Sequence, residues 1–224
     1  MELPMLCDVW EPGDSWVGIS NQARRKKLQN KLNQRAYPLH ILTRLRLLSA
    51  LADNAASIRF PPEGLCRDDF ISPYNARGPL HDRAFDPLTS GPPTLQPTSL
   101  QRTVLHHPWI DLFPFPRLRD NVLIGIEAGA VDDDELCTDI LEVKDEDLSG
   151  RPSLIVWGEP WDWAAWEANE AFLLKWGFLA RGCPELLEAT NRWRTKRGEK
   201  NFGLEEYMGS YQLDRSAGIS GSSG

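Results

Sequence analysis

Residues 170–194 read EAFLLKWGFLARGCPELLEATNRWR, and they set the fold class of the chain. Gly182 stops one helical pattern, and Pro184 opens another at a first-turn position, where its missing N–H and fixed φ are harmless. The expected helices run from about Trp163 to Ala180 and from about Pro184 to Lys196, the second ending before Gly198. Working outward, Leu118, Val122, Leu123 and Ile126 share one face of a helix expected from about Arg117 to Ala128. The acidic run Asp132, Asp133, Asp134, Glu135 suits the positive end of a helix that ends near Leu141. Ser153–Trp157 (SLIVW) is expected to be a short strand or a buried extended segment. The resulting picture is mainly α, with a Trp-rich helical domain over residues 103–200 that holds seven of the nine tryptophans.

The rest of the chain divides by composition. Residues 1–20 form an irregular lead, and residues 21–58 form a helix candidate, basic first and then apolar. Residues 59–102 carry eight prolines, which predicts a loosely packed linker. Residues 201–224 end in a Ser/Gly-rich stretch and are expected to be flexible. Cys7, Cys66, Cys137 and Cys183 are widely spaced, a pattern that suits a reducing compartment rather than a disulfide framework or a zinc site. The first residues lack a basic n-region and an apolar h-region, and no run of 18 apolar residues occurs, so the expected protein is soluble and intracellular, with no membrane partner.

Charge is the second organising feature. The formal net charge is −7, yet Asn21–Ala52 contains eight basic residues and no acidic one. The remaining 17 Lys and Arg face all 32 Asp and Glu. A basic arm on an acidic protein predicts docking on a polyanion. If residues 24–37 are helical, Gln29, Asn30, Asn33, Gln34 and Tyr37 recur at spacings of three and four on one face. Arg24, Arg25, Lys26, Lys27, Lys31 and Arg35 accompany that face. Amide side chains offer paired donors and acceptors to base edges in the major groove, and flanking cations neutralise phosphates. Double-stranded DNA is therefore the expected partner. Arg24–Lys27 would also serve as a nuclear localisation signal.

QNKLNQRAY (29–37) resembles the basic region of fungal basic-leucine-zipper factors. The resemblance places Asn30 on the base-reading Asn of that family, with Gln34, Arg35, Ala36 and Tyr37 in register. It implies a nuclear DNA-binding transcription regulator that acts as a homo- or heterodimer. The chain departs from the pattern at Leu32 and Asn33, where the family has Ala, and at Pro38, where it has Arg. Ile41, Leu45, Leu48, Ala52 and Ala55 follow coiled-coil spacing, but Pro61 and Pro62 end the seam after two heptads. Two heptads bury too little to hold a dimer, and the favoured reading is an amphipathic helix packed on the C-terminal domain. HHPWIDLFPFPRLRDN (106–121), DDDELCTDI (132–140), LIVWGEPWDWAAWE (154–167) and residues 170–194 resemble a domain of unknown function that follows degenerate basic regions in such proteins.

Little in that domain points to catalysis, and no cofactor is expected. His106 and His107 lack further ligand spacing, which favours packing or capping over metal. The acidic run has no second motif to share a magnesium ion, and no phosphate loop or nucleophile elbow is present. Trp157, Trp161, Trp163, Trp166, Trp176 and Trp193 are expected to be core rather than a ligand groove. An alternative to DNA binding is an interaction protein descended from such a factor, with the basic segment as localisation signal or partner dock.

Overall fold

The computed structural model describes residue 26 and residues 42–60, 70–78, 91–141 and 153–203. The described chain is mainly helical, with α1 over residues 42–57, α2 Ser99–Thr103, α3 Pro116–Glu127, α4 Asp133–Leu141, α5 Glu170–Trp176 and α6 Pro184–Lys196. Strands β1 (Leu154–Val156) and β2 (Trp166–Ala168) form one antiparallel pair. As expected, Pro184 stands in the first turn of α6 and α3 turns Leu118, Val122 and Leu123 inward; α3 starts one residue earlier than expected, with Pro116 in its first turn. Gly125 is on the same helix because a Cβ there would lie 2.5 Å from Val131 Cγ2. Asp132 begins α4 by accepting a hydrogen bond from the Glu135 N–H at 3.0 Å.

The long helix expected over 163–180 is instead four short elements. A 3₁₀ turn (Trp163–Ala165) leads into β2, which pairs Leu154 with Ala168, Ile155 with Glu167 and Val156 with Trp166. α5 and a second 3₁₀ turn (Gly177–Ala180) follow. The physical reason lies in two neighbours that are both buried. Trp166 enters the core and donates its indole N–H to the Pro160 carbonyl at 2.9 Å, whereas Glu167 meets Arg197. A strand sends successive side chains to opposite faces, so it can bury both. Asn169 then restarts the chain as a helix by capping the Phe172 N–H at 2.8 Å. On the outer side of β2, Trp166 N–H bonds the Trp163 carbonyl, and Ala168 N–H bonds Thr190 Oγ at 2.9 Å. Thr190 in turn donates to the Leu186 carbonyl, within α6.

α1 packs on the same core as the C-terminal helices. Arg44, Leu47, Leu51, Asn54, Ala55 and Ile58 are buried, at spacings of three and four. Arg44 donates to the Asp139 carbonyl at 2.8 Å, and Asn54 Nδ2 donates to the carbonyls of Leu112 (2.8 Å) and Pro160 (3.0 Å). This buried face is not the zipper seam. Leu45 is 49 % exposed, Ala52 is exposed and Leu48 is half-buried, while Ala55 alone of the described seam residues is buried. Ile41 lies outside the described residues.

The described parts of the Pro-rich stretch are packed rather than loose. Phe60, Ser72, Tyr74, Asn75, Leu95 and Gln101 are buried. Tyr74 donates its hydroxyl to the Leu95 carbonyl at 3.0 Å, and Asn75 Nδ2 donates to the Val104 carbonyl at 2.7 Å. Proline density mis-signals here because these segments hold position by side-chain hydrogen bonds and apolar burial, without a helical or sheet ladder. Among the described residues, no helix is long and apolar enough to cross a membrane.

Candidate functional site

Of the expected DNA-contacting residues only Lys26 is described, in helical conformation and exposed. Gln29, Asn30, Asn33, Gln34 and Tyr37, with Arg24, Arg25, Lys27, Lys31 and Arg35, lie outside the described residues. The basic stretch precedes the described part of α1, whose inward face is fixed by Arg44, Leu47 and Asn54.

Within the domain, two buried polar clusters hold the elements in place. The first centres on Asp111, which is fully buried in the 3₁₀ turn Pro108–Leu112. Its carboxylate accepts hydrogen bonds from Ser72 Oγ, Gln101 Nε2 and His106 Nε2, the last at 2.7 Å. His106 Nδ1 meets the Val104 carbonyl at 2.8 Å, so both ring nitrogens face acceptors and the ring is a double donor. Burial alone would lower the His106 pKa, but the Asp111 hydrogen bond and charge outweigh it and raise the pKa above 6.5. Arg119 is also fully buried and donates to the carbonyls of Asp111 (3.0 Å) and Gln96 (2.8 Å). Burial lowers the Arg119 pKa and raises that of Tyr74. Ser72 bonds the carboxylate rather than the imidazole, and the side chains of His106 and Asp111 have no exposure. Among the described residues no hydroxyl or thiol is hydrogen-bonded to the His106 ring.

The second cluster joins α6 to the strand pair. Arg197 donates Nη1 and Nη2 to the two carboxylate oxygens of Glu167, at 2.8 and 2.5 Å, and Nε to Glu199 at 2.7 Å. Trp157 also donates to Glu167, at 2.7 Å. Trp157 stacks on Trp193 with ring centres 5.4 Å apart, Arg197 lies over the Trp157 ring and Lys196 over the Trp193 ring. Trp166 and Trp176 are buried, Trp157, Trp163 and Trp193 are half-buried, and Trp161 is exposed. Four of the six indoles donate to named acceptors: Glu167, Pro160, Asp139 and Ala164. The set is chiefly core and core edge.

Neither cluster was singled out as chemistry in the sequence. A signal was available for Asp111, a lone acid inside the apolar run WIDLF, because an acid in such a run is buried only with partners. Glu167 and Arg197 sit in segments rich in charge and carry no comparable mark.

Among the described residues, two surface hollows bear on the site. One, of about 270 Å³, is lined by Phe70, His107, Trp109, Asp133, Asp134 and Cys137 among others. Among the described residues the only close set of metal-ligating atoms is Asp132, Asp133 and Asp134, within 4.8 Å of one another, and it excludes His107 and Cys137. The other hollow, of about 240 Å³, runs between α3 and the turn Gly177–Ala180. Cys137 and Cys183 form no disulfide, and burial pushes the Cys183 thiol up to about 12, which makes it a poor nucleophile.

Residues 82–187 match the family described as a domain of unknown function (DUF3425). No curated protein and no solved structure matches the chain.

Proposed function

We propose that this protein is a DNA-binding transcription regulator of the basic-leucine-zipper-like type, nuclear and non-enzymatic, whose basic segment lies in the major groove. The observation that carries this reading is the unbroken positive run in an otherwise acidic chain, together with its order of residues. Gln29, Asn30, Asn33, Gln34 and Tyr37 would face bases, and Arg24, Arg25, Lys26, Lys27, Lys31 and Arg35 would hold phosphates. The basic segment precedes α1 in sequence, and the described part of α1 is anchored to the domain core through Arg44, Leu47 and Asn54.

The same anchoring favours a second reading, an interaction protein without DNA. In a zipper factor the helix after the basic region pairs with a second copy. Here its apolar face is spent inside one chain, and the seam residues Leu45 and Ala52 face outward with little apolar area.

Fluorescence anisotropy of the full-length protein on a mixed-sequence duplex pool, at several salt concentrations, separates the two. Phosphate docking predicts that log affinity falls with log salt by about 0.9 per phosphate contacted. Replacing both Lys26 and Lys27 by Ala should then reduce the slope by about two, while Asn30→Ala should erode discrimination between sites by about 1–3 kcal/mol. No binding by the natural chain, with binding restored by Pro38→Arg, would establish the second reading instead.

A further inference from the structure

Along α3, Arg117, Asn121, Ile124 and Ala128 recur at spacings of four, three and four, and so form one stripe. At 1.5 Å per residue the stripe is about 16 Å long. Phe178 and Arg181 face it from the neighbouring turn, and the two sides enclose the groove of about 240 Å³. The groove is graded along its length. Arg117 and Arg181 stand where α3 begins, and among the described residues no acidic side chain lines the groove or occupies the first turn of α3. The positive end of the helix dipole adds to that bias. The other end is apolar, with Ile124 47 % exposed beside Ala128 and Phe178. Both walls are held in place. Asn121 Nδ2 donates to the carbonyls of Leu179 and Arg181, each at 2.7 Å. Gly182, at φ +72°, supplies the left-handed backbone that turns the chain after Arg181, and Arg117 packs beside that turn.

We propose that this groove docks an acidic–apolar segment of a partner protein, with a carboxylate against Arg117 and one large apolar side chain on Ile124 and Phe178. The charge of the lining selects an acidic occupant. The shape selects a segment: a length of about 16 Å fits about five extended residues. The volume falls below the roughly 300 Å³ from which compact small-molecule pockets usually begin. This surface is on the far side of the question of DNA binding, and it stands whether or not the basic segment binds a duplex.

The test uses the full-length protein and a fluorescein-labelled decapeptide, GSDDELLFGS, followed by anisotropy at physiological salt. The expected result is saturable binding, weakened about tenfold by either Arg117→Glu or Ile124→Asp, a loss typical of a central anchor or a paired charge. Leu174→Asp, at an exposed apolar position on α5, should leave binding unchanged, as should replacing both Lys26 and Lys27 by Ala. A charge-reversed peptide, GSKKKLLFGS, should not bind. Circular dichroism of each variant checks that the fold persists. The proposal is overturned by an absence of binding, by binding indifferent to Ile124→Asp, or by binding lost with the two lysines, which would assign the peptide to the N-terminal basic run.

Discussion

The Asp111 and Glu167 clusters use the same chemistry, a buried carboxylate with a surplus of donors, yet they hold the molecule differently. Asp111 gathers Ser72, Gln101 and His106 from three separate stretches, and solvent reaches neither its side chain nor that of His106. Glu167 has one dominant partner, the planar fork of Arg197, and Glu199 at its margin keeps a third of its side-chain surface exposed. A sealed hub with donors from several segments makes distant chain regions depend on one another. A forked pair at the edge fastens one helix end to one strand.

Asp111→Ala should therefore produce the largest effect, about 3–5 kcal/mol lost in denaturant unfolding, because it leaves the buried donors of Ser72, Gln101 and His106 without their acceptor. A loss under 1 kcal/mol would mean that water enters the hub. Glu167→Ala should cost about 2–3 kcal/mol, and a double-mutant cycle with Arg197→Ala should show most of that as coupling between the two. If the cycle shows no coupling, stacking on Trp157 rather than charge holds Arg197.

Titration sharpens the contrast, since the two clusters fail at opposite ends of the pH scale. The folded pKa of His106 is raised above 6.5, so its contribution is complete below that value and is lost as pH rises through the folded pKa. Glu199 behaves in reverse. Its hydrogen bond from Arg197 lowers its pKa below 4.5, so its smaller, partly screened contribution is present above 4.5 and is lost as pH falls through the folded value. Thermal unfolding across pH should show a decline on the alkaline side that His106→Gln flattens and a shallower acid decline that Glu199→Gln flattens. A decline above pH 6.5 that survives His106→Gln would assign it to another group.

The smallest effect should come from the outer side of α1, where Leu45→Glu is expected to change stability by no more than about 0.5 kcal/mol. Leu47→Ala, one turn face away and fully buried, should cost about 2–5 kcal/mol. A drop in molecular mass by light scattering on Leu45→Glu would show instead that the seam holds a second copy.

How far the sequence could be read depended on whether a residue's role was local. α3 was legible from its apolar periodicity and α6 from the proline in its first turn, because both signals are decided within the helix itself. The stretch 163–180 was not, because a run so rich in apolar residues has no clean period, and β2 exists only through pairing with β1 and burial against Arg197. α1 was legible as a helix packed on the domain, but the seam spacing did not mark the face that is buried, since Leu45 and Leu47 are equally apolar and only the tertiary partners choose between them. The Asp111 hub needed three distant donors to be seen, whereas the proposed DNA-contacting residues were legible as charge and order alone.

Thr190 carries a last consequence. A two-stranded sheet exposes rims that invite a stranger's backbone, and β2 could offer N–H groups at Trp166 and Ala168. Both are already engaged, one by the Trp163 carbonyl and the other by the Thr190 hydroxyl. The rim is thereby blunted against templated strand addition, the first step of domain exchange and fibril growth. A single hydroxyl on a neighbouring helix takes the place that a stranger's carbonyl would fill.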